Sequence, residues 1–200
     1  MNLTRRFDAA LSLALELHAH QKTKGKQVPY AAHLLSTTAL VMQFGGTERQ
    51  AIAALLHDAA EDAGGRRTLA RIRRRFGEHV ANIVEDCSDT MVKPKPAWEE
   101  RKRRYIESVA TKPAASLLVT ACDKLDNART IVADLRREGP RTLDRFNGGR
   151  RTLWYYDEIA KALGKAGAGT PVTNVVRELR EAVRQMRRLA GPEGRRGTGR

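Results

Sequence analysis

The chain has 200 residues, of which 41% are apolar and 30% are charged, and this composition is typical of one soluble globular domain. It lacks a continuous apolar stretch of about 18 residues, which excludes a membrane-spanning helix, and its two cysteines exclude a disulfide framework or a zinc site made of thiolates. The N-terminus lacks the apolar core of a secretory signal, so we expect a cytoplasmic protein, and the net charge of +14 favours polyanionic partners.

Apolar residues recur at helical spacing along most of the chain, and glycines and prolines separate the helical segments. Thr47 and Gln50 have the spacing of a capping box, which predicts the start of the central helix. The segments predicted to be helical are, in chain order, 4–20, 29–44, 48–63, 68–76, 78–87, 98–110, 113–138, one or two helices within 143–163, and 172–189.

No segment alternates apolar and polar residues as a strand would. We therefore predict an all-α fold, a bundle of roughly seven to ten helices. We expect a main domain over residues 1–163, then a Gly/Ala-rich linker and a C-terminal helix over 164–190, and a basic, disordered tail over 191–200.

Four ionisable residues end the central helix. The apolar run Ala51–Leu56 is followed directly by His57 and Asp58, and Glu61 and Asp62 come one turn later. Burying these side chains at the end of an apolar helix is costly unless something compensates their charge. A divalent metal ion is the natural compensator.

Two further ionisable residues occur where the pattern predicts the interior of other helices. His33 lies early in the second helix, and Asp123 lies within the long apolar stretch that begins at residue 117. One buried histidine is more often a core residue than a ligand, but two histidines and two aspartates reverse that expectation. Nitrogen and oxygen donors without thiolate suit Mn²⁺, Fe²⁺, Mg²⁺ or Zn²⁺. The predicted metal ligands are His33, His57, Asp58 and Asp123.

Glu61 and Asp62 would then lie one helical turn beyond the metal, where they could orient and deprotonate a water molecule. The basic loop Lys22–Lys26 could neutralise a diphosphate, although an ordinary solvated loop is about as probable on residues alone. The aromatic run Trp154–Tyr156 could stack on a purine, but such a cluster in a helix is more often part of the core.

These residues resemble a known family. The pattern His33, His57-Asp58, Asp123 is similar to the metal motif of the HD phosphohydrolase superfamily. Six elements are similar to the hydrolase domain of RelA/SpoT-type enzymes and to the stand-alone small alarmone hydrolases over residues 7–163. They are His18-x-x-Gln21, Lys24-Gly25, Pro29-Tyr30-x-x-His33, Leu55-Leu56-His57-Asp58-x-x-Glu61-Asp62, Phe76-Gly77-x-x-Val80 and Asp123-Lys124-Leu125-x-Asn127-x-Arg129.

The resemblance implies a manganese-dependent 3′-pyrophosphohydrolase of the stringent response, which releases pyrophosphate from guanosine 3′,5′-bis(diphosphate). It implies that His33, His57, Asp58 and Asp123 hold the metal and that Glu61 and Asp62 activate water. It places Lys24 and Asn127 at the nucleotide, and we add Lys22 and Arg129 to the predicted substrate contacts. The chain has no room for the family's synthetase domain, so a hydrolase-only protein is expected.

Three positions depart from the family pattern. Thr23 stands where the family commonly has Arg, Asp126 where it has His or Tyr, and Leu34 where it has Pro. These departures leave the metal motif intact but alter base recognition. They keep a second hypothesis open, the same chemistry on an adenosine or deoxynucleotide phosphate.

A third hypothesis belongs to another class of protein. The Arg-rich surface could serve a non-catalytic module that binds nucleotides or nucleic acid, with the C-terminal helix and basic tail as a weak tether to RNA. Retention of Glu61 and Asp62 argues against it.

Overall fold

The computed structural model describes residues 1–192 and, within them, consists of α-helices joined by short connections. The helices are α1 (Arg5–Leu17), α2 (Ala31–Gln43), α3 (Glu48–Leu56), α4 (Ala59–Asp62), α5 (Gly65–Phe76), α6 (Glu78–Cys87), α7 (Trp98–Ser108), α8 (Ala114–Glu138), α9 (Arg151–Ala166) and α10 (Val172–Ala190). Short 3₁₀ turns cover Val109–Thr111 and Pro140–Arg145. The predicted all-α bundle is confirmed.

Helices α3 and α8 form the centre of the bundle. Every residue of α3 from Gln50 to Leu56 is buried, because α1, α2, α6 and α8 surround this helix. Helix α8 packs against α2, α3, α6, α9 and α10. Side chains that project from the end of α3 and the middle of α8 are therefore held in the most densely packed part of the protein.

The predicted central helix is broken. The capping box of Thr47 and Gln50 is present, but α3 ends at Leu56, and α4 begins only at Ala59. The break has a local cause: the His57 ring bonds the carbonyl of Ala54 at 2.8 Å, and the backbone of Asp58 leaves the ideal helical region, with φ −93° and ψ −6°. A continuous helix over 48–63 was therefore wrong, although both parts are helical.

The end of α9 also differs from the prediction. The linker was expected to start at Gly164, but α9 continues through Ala166. Gly164 lies within this helix and faces α10, where an added Cβ would lie 3.3 Å from the Val176 side chain and would meet the movable end of Arg180. The glycine is therefore part of α9 rather than the start of a linker. The division into a main domain, a linker and a tail otherwise stays a prediction.

Helix α10 packs on the body of the bundle. Its apolar face, which includes Val175, Leu179 and Met186, is buried against α8 and α9. The predicted disordered tail falls almost entirely on residues 193–200, outside the described part of the chain. Within that described part, no helix is both long and apolar enough to cross a membrane. The expected cytoplasmic location stays a prediction.

Candidate metal centre and adjoining cavities

The four predicted metal ligands come from three parts of the chain. His33 lies on α2, His57 and Asp58 lie at the break between α3 and α4, and Asp123 lies on α8. The ring Nε2 atoms of His33 and His57 are 3.3 Å apart. Asp58 Oδ2 lies 3.0 Å from His57 Nε2, and Asp123 Oδ1 lies 3.3 Å from His33 Nε2. We call these four residues the donor cluster.

In each histidine ring, the hydrogen bond made by Nδ1 shows that Nε2 carries the lone pair. The Ala54 carbonyl can only accept, so His57 Nδ1 carries the proton of their 2.8 Å hydrogen bond. The Asp126 carboxylate likewise accepts from His33 Nδ1, at 2.7 Å. With neutral rings, both Nε2 lone pairs point into the same small space. Two lone pairs 3.3 Å apart repel each other, so positive charge between them, from a metal ion or a proton, would stabilise this arrangement.

The surroundings of the cluster also favour a cation. Burial alone would lower the pKa of His33, but hydrogen bonds that its ring donates to Asp123, Asp126 and Asp58 raise that pKa well above its ordinary value. Burial would raise the pKa of Asp123, but Lys124 and the two histidines hold it well below the usual range. The cluster therefore combines ionised carboxylates with a strong demand for positive charge.

The donor set fits a divalent metal ion. Its ligand atoms are imidazole nitrogens and carboxylate oxygens, which suit Mn²⁺, Fe²⁺, Mg²⁺ or Zn²⁺. Bonds of about 2.1 Å to one ion would separate neighbouring ligand atoms by roughly 3.0 to 3.5 Å. The separations of the ligand atoms from the histidine nitrogens, 3.0 to 3.6 Å, lie within this range or just above it. His33, His57 and Asp58 form the compact group, and Asp123 approaches it through the two histidines.

Glu61 and Asp62 lie on α4, one turn beyond Asp58. Glu61 accepts from Lys95 Nζ at 2.7 Å and from the Asp89 backbone N–H at 3.2 Å. Burial and the Asp89 charge raise the pKa of Glu61, and Lys95 partly offsets that rise. A carboxylate held in this way is a stronger base than an exposed one, which suits proton transfer.

Asp62 belongs to a second small network. It accepts from Gln21 Nε2 at 2.9 Å, and Gln21 in turn bonds the His18 ring at 2.6 Å. Lys95 lies 3.5 Å from Asp62. The motif pair His18 and Gln21 thus orients Asp62 from the end of α1.

A cavity of about 300 Å³ opens beside Glu61, and we call it the cationic cavity. Five cations line it: Lys24, Lys95, Arg101, Lys102 and Lys124. Aromatic side chains, Trp98, Phe146, Tyr155 and Tyr156, line it as well.

Four of its cations have carboxylate partners. Asp89 pairs with Arg101 and Lys102, Glu61 with Lys95, and Asp123 with Lys124. Lys24 differs, because its hydrogen bond among the described residues goes to the neutral amide of Asn147 at 2.5 Å. Partial burial lowers the pKa of Lys24. Its charge is the one most available to an incoming anion.

A second cavity, of about 380 Å³, has His33 in its wall. The hydroxyl groups of Thr23, Ser36 and Thr130 line it, together with Asp126, and Asn127 borders both cavities. The loop at its rim is anchored by Lys26, which bonds the buried Asp134 at 2.6 Å. We call it the hydroxyl-lined cavity.

The structure does not bring Lys22 or Arg129 to these cavities. Lys22 is exposed and donates to Gln27 within its own loop. Arg129 faces α10, where it pairs with Glu178. Of the predicted substrate contacts, Lys24 and Asn127 line the cationic cavity, and all these roles stay predictions.

Sequence reasoning missed several residues that complete the site. Tyr30 donates to Asp58 at 2.5 Å, and its place in Pro29-Tyr30-x-x-His33 was the available signal. Lys95 and Asp89 contact Glu61 from the non-helical segment 88–97, which carries no periodic signal. Asp126 was interpreted only as a departure in base recognition.

The chain is similar to known proteins along most of its length. A family model described as "HD domain" matches residues 10–165. The chain is 33% identical over 156 residues to a guanosine-3′,5′-bis(diphosphate) 3′-pyrophosphohydrolase of Aquifex aeolicus, covering 78% of this chain and 21% of that protein. It thus spans about a fifth of that relative's length.

A relative of similar size also matches. The guanosine-3′,5′-bis(diphosphate) 3′-pyrophosphohydrolase MESH1 of Xenopus tropicalis is 38% identical over 141 residues, which cover 66% of this chain and 74% of that protein. The solved structure of a metazoan ortholog of SpoT that hydrolyses ppGpp superposes with a TM-score of 0.75 at 26% identity, over 92% of this chain and 97% of that one.

Proposed function

The chain belongs to the HD domain family, and from that premise we propose that it is a metal-dependent hydrolase that removes the 3′-pyrophosphate of a guanosine 3′,5′-bis(diphosphate)-like nucleotide. One observation carries this proposal. The donor cluster lies one helical turn from Glu61, and Glu61 borders a cavity lined by five cations. The relatives whose names specify this reaction support the substrate class.

In this proposal His33, His57, Asp58 and Asp123 hold the divalent metal, and Mn²⁺ is the proposed ion because the resembled family is manganese-dependent. When bound, the metal supplies Lewis acidity toward a phosphoryl oxygen and water. The residues of the chain do the rest. Glu61 accepts a proton from the attacking water, and Asp62, held by Gln21, orients that water.

The bonds of the reaction are few. The water oxygen bonds to the phosphorus next to the sugar, the bond between that phosphorus and the 3′-oxygen breaks, and the 3′-oxygen takes up a proton. Lys24 and the other cations of the cationic cavity bind the pyrophosphate, whose charge they offset. Asn127 lies between the two cavities, where it can contact the nucleoside.

The test is direct. Purified protein incubated with Mn²⁺ and guanosine 3′,5′-bis(diphosphate) should release pyrophosphate, and the double variant Glu61→Gln, Asp62→Asn should not. Asp86→Asn is the matched control, because this half-buried carboxylate on α6 bonds Ser116 outside both cavities. If wild type and double variant are equally inert on a panel of nucleotides, the proposal fails.

A second candidate keeps the chemistry and changes the base. Thr23 lines the hydroxyl-lined cavity at the position where the resembled family commonly has Arg. The alternative substrates are adenosine or deoxynucleotide phosphates. If base recognition was altered here, Thr23→Arg should raise turnover of the guanine nucleotide relative to the adenine one.

The RNA tether is a separate prediction. Removing α10 would expose the apolar surfaces of α8 and α9 that it covers, so the informative deletion is 193–200, which leaves that helix intact. A tether through these residues predicts weaker RNA binding and a smaller salt dependence after the deletion. Unchanged affinity and slope would dismiss it.

A further inference from the structure

The carboxylate of Asp126 lies directly behind His33. Its Oδ2 accepts from His33 Nδ1 at 2.7 Å, and its Oδ1 accepts from the hydroxyl of Ser36, one turn further along α2. Asp126 is only 9% exposed. Because Asp126 lies on α8 and its two partners lie on α2, these hydrogen bonds join the two helices behind the donor cluster.

This geometry determines which ring nitrogen of His33 faces the donor cluster. A carboxylate at Nδ1 keeps the proton there and leaves the Nε2 lone pair directed at His57 and Asp123. We propose that Asp126 is a positioning residue for metal binding, which sets the orientation and raises the donor strength of His33. The proposal rests on the metal centre of the proposed function, but metal affinity can be measured without any substrate.

The two histidines of the cluster are therefore unequal. His57 donates to a neutral backbone carbonyl, that of Ala54, whereas His33 donates to a charged group. A charged acceptor makes a stronger hydrogen bond and increases the electron density on the opposite nitrogen. Asp126 is also a third carboxylate near the proposed ion, in addition to Asp58 and Asp123, and it increases the local negative charge.

A contact with the nucleotide base is the competing role for Asp126, because this residue also lines the hydroxyl-lined cavity. The two roles predict different measurements. A base contact would change KM for the nucleotide and leave metal affinity unchanged. If Asp126 is a positioning residue, its substitution would change metal affinity in nucleotide-free protein.

The experiment titrates metal-free protein with Mn²⁺ and compares wild type, Asp126→Asn and Asp86→Asn. We expect Asp126→Asn to weaken Mn²⁺ binding by about 10- to 100-fold, because the amide keeps the shape and loses the charge. Asp86→Asn is matched, since Asp86 also accepts from a serine across two helices, at 2.5 Å from Ser116, without contacting a histidine. Equal Mn²⁺ affinity in all three proteins would overturn the proposal.

A second measurement needs no substitution at Asp126 and so remains informative if that variant does not fold. Histidine ¹⁵N NMR of the wild-type protein loaded with Zn²⁺ should show His33 with its proton on Nδ1, in slow exchange with water, and the metal on Nε2. Ser36→Ala, which removes one neighbour of Asp126, should shift this proton resonance and leave that of His57 in place. A proton on His33 Nε2, or a rapidly exchanging Nδ1 proton, would contradict the proposal.

Discussion

The donor cluster and the cationic cavity lie side by side but are built differently. The side chains of the cluster project from α2, from α8 and from the break between α3 and α4, in the most tightly packed part of the bundle, and His57 is fully buried. The cationic cavity takes side chains from α4, α7, α8 and α9, but it also takes Lys24, Lys95, Phe146 and Asn147 from connecting segments. Its charges are mostly paired with carboxylates. Positions on packed helices tolerate little change, whereas exposed loops vary. In the proposed function, this difference separates the residues of the chemical step from the residues that select the substrate.

The largest effect should come from the cluster itself. His57→Gln removes one Nε2 ligand from a fully buried position, and we expect loss of metal binding and a fall in hydrolysis of at least about 10³-fold. Metal content by elemental analysis and pyrophosphate release measure the two effects. His79→Gln, an exposed histidine on α6, is the control. A His57→Gln protein that keeps its metal would contradict the proposal that the donor cluster, rather than the cationic cavity, binds the metal.

The pH dependence of kcat/KM on its acid side tests Glu61, which lies between the donor cluster and the cationic cavity. Glu61 must be ionised to accept a proton, and burial together with Asp89 raises the pKa of Glu61 while Lys95 lowers it. Activity should therefore rise with pH as Glu61 loses its proton. Lys95→Met removes the lowering contribution, so the acid limb of kcat/KM should move to higher pH.

Lys93→Met is the control for that measurement, because Lys93 lies in the same exposed segment and does not line the cationic cavity. It should leave the acid limb in place. A limb that moves equally in both variants would reflect the general charge of the segment rather than the contact between Lys95 and Glu61.

A smaller effect is expected from the loop. Lys24→Ala removes a cation of the cationic cavity whose partner is the neutral Asn147, so KM should rise by about tenfold with little change in kcat. Lys22→Ala is matched, because Lys22 is exposed in the same loop and bonds only Gln27 among the described residues. Equal KM values for the two variants would remove Lys24 from the substrate site.

The smallest effect should come from Arg129. Its pair with Glu178 is about half exposed at both ends, so Arg129→Ala should change the free energy of unfolding by no more than about 0.5 kcal/mol. KM and kcat should also stay unchanged. Urea denaturation and steady-state kinetics check both statements, and a raised KM would show that Arg129 reaches the nucleotide.

The same contrast explains what could be predicted from the sequence. The helices follow from apolar residues at helical spacing, and the four candidate metal ligands stood out because ionisable residues interrupted apolar runs. The break at His57 and Asp58 could not be predicted, since the residues around it favour a helix and the contact with Ala54 exists only after folding. Lys95 was missed because it meets Glu61 across 34 residues of chain.

Arg129 illustrates a geometric limit of motif comparison. It follows Asn127 by two positions on α8, and residues two apart on a helix point to nearly opposite sides. Asn127 borders both cavities, so Arg129 faces α10 instead. A motif can therefore contain residues with unrelated roles, and helical spacing decides which of them share a face.

The position of the donor cluster along the chain has a consequence for folding. His57 and Asp58 are adjacent in sequence, so together they would bind an ion as a bidentate unit. His33 is 24 residues before His57, and Asp123 lies on α8. An ion held by all four would close two long loops of chain, as a cross-link does, and loop closure is an entropic cost borne by folding. Metal-free protein should accordingly unfold at a lower temperature, with α2, α3 and α8 losing their mutual packing together.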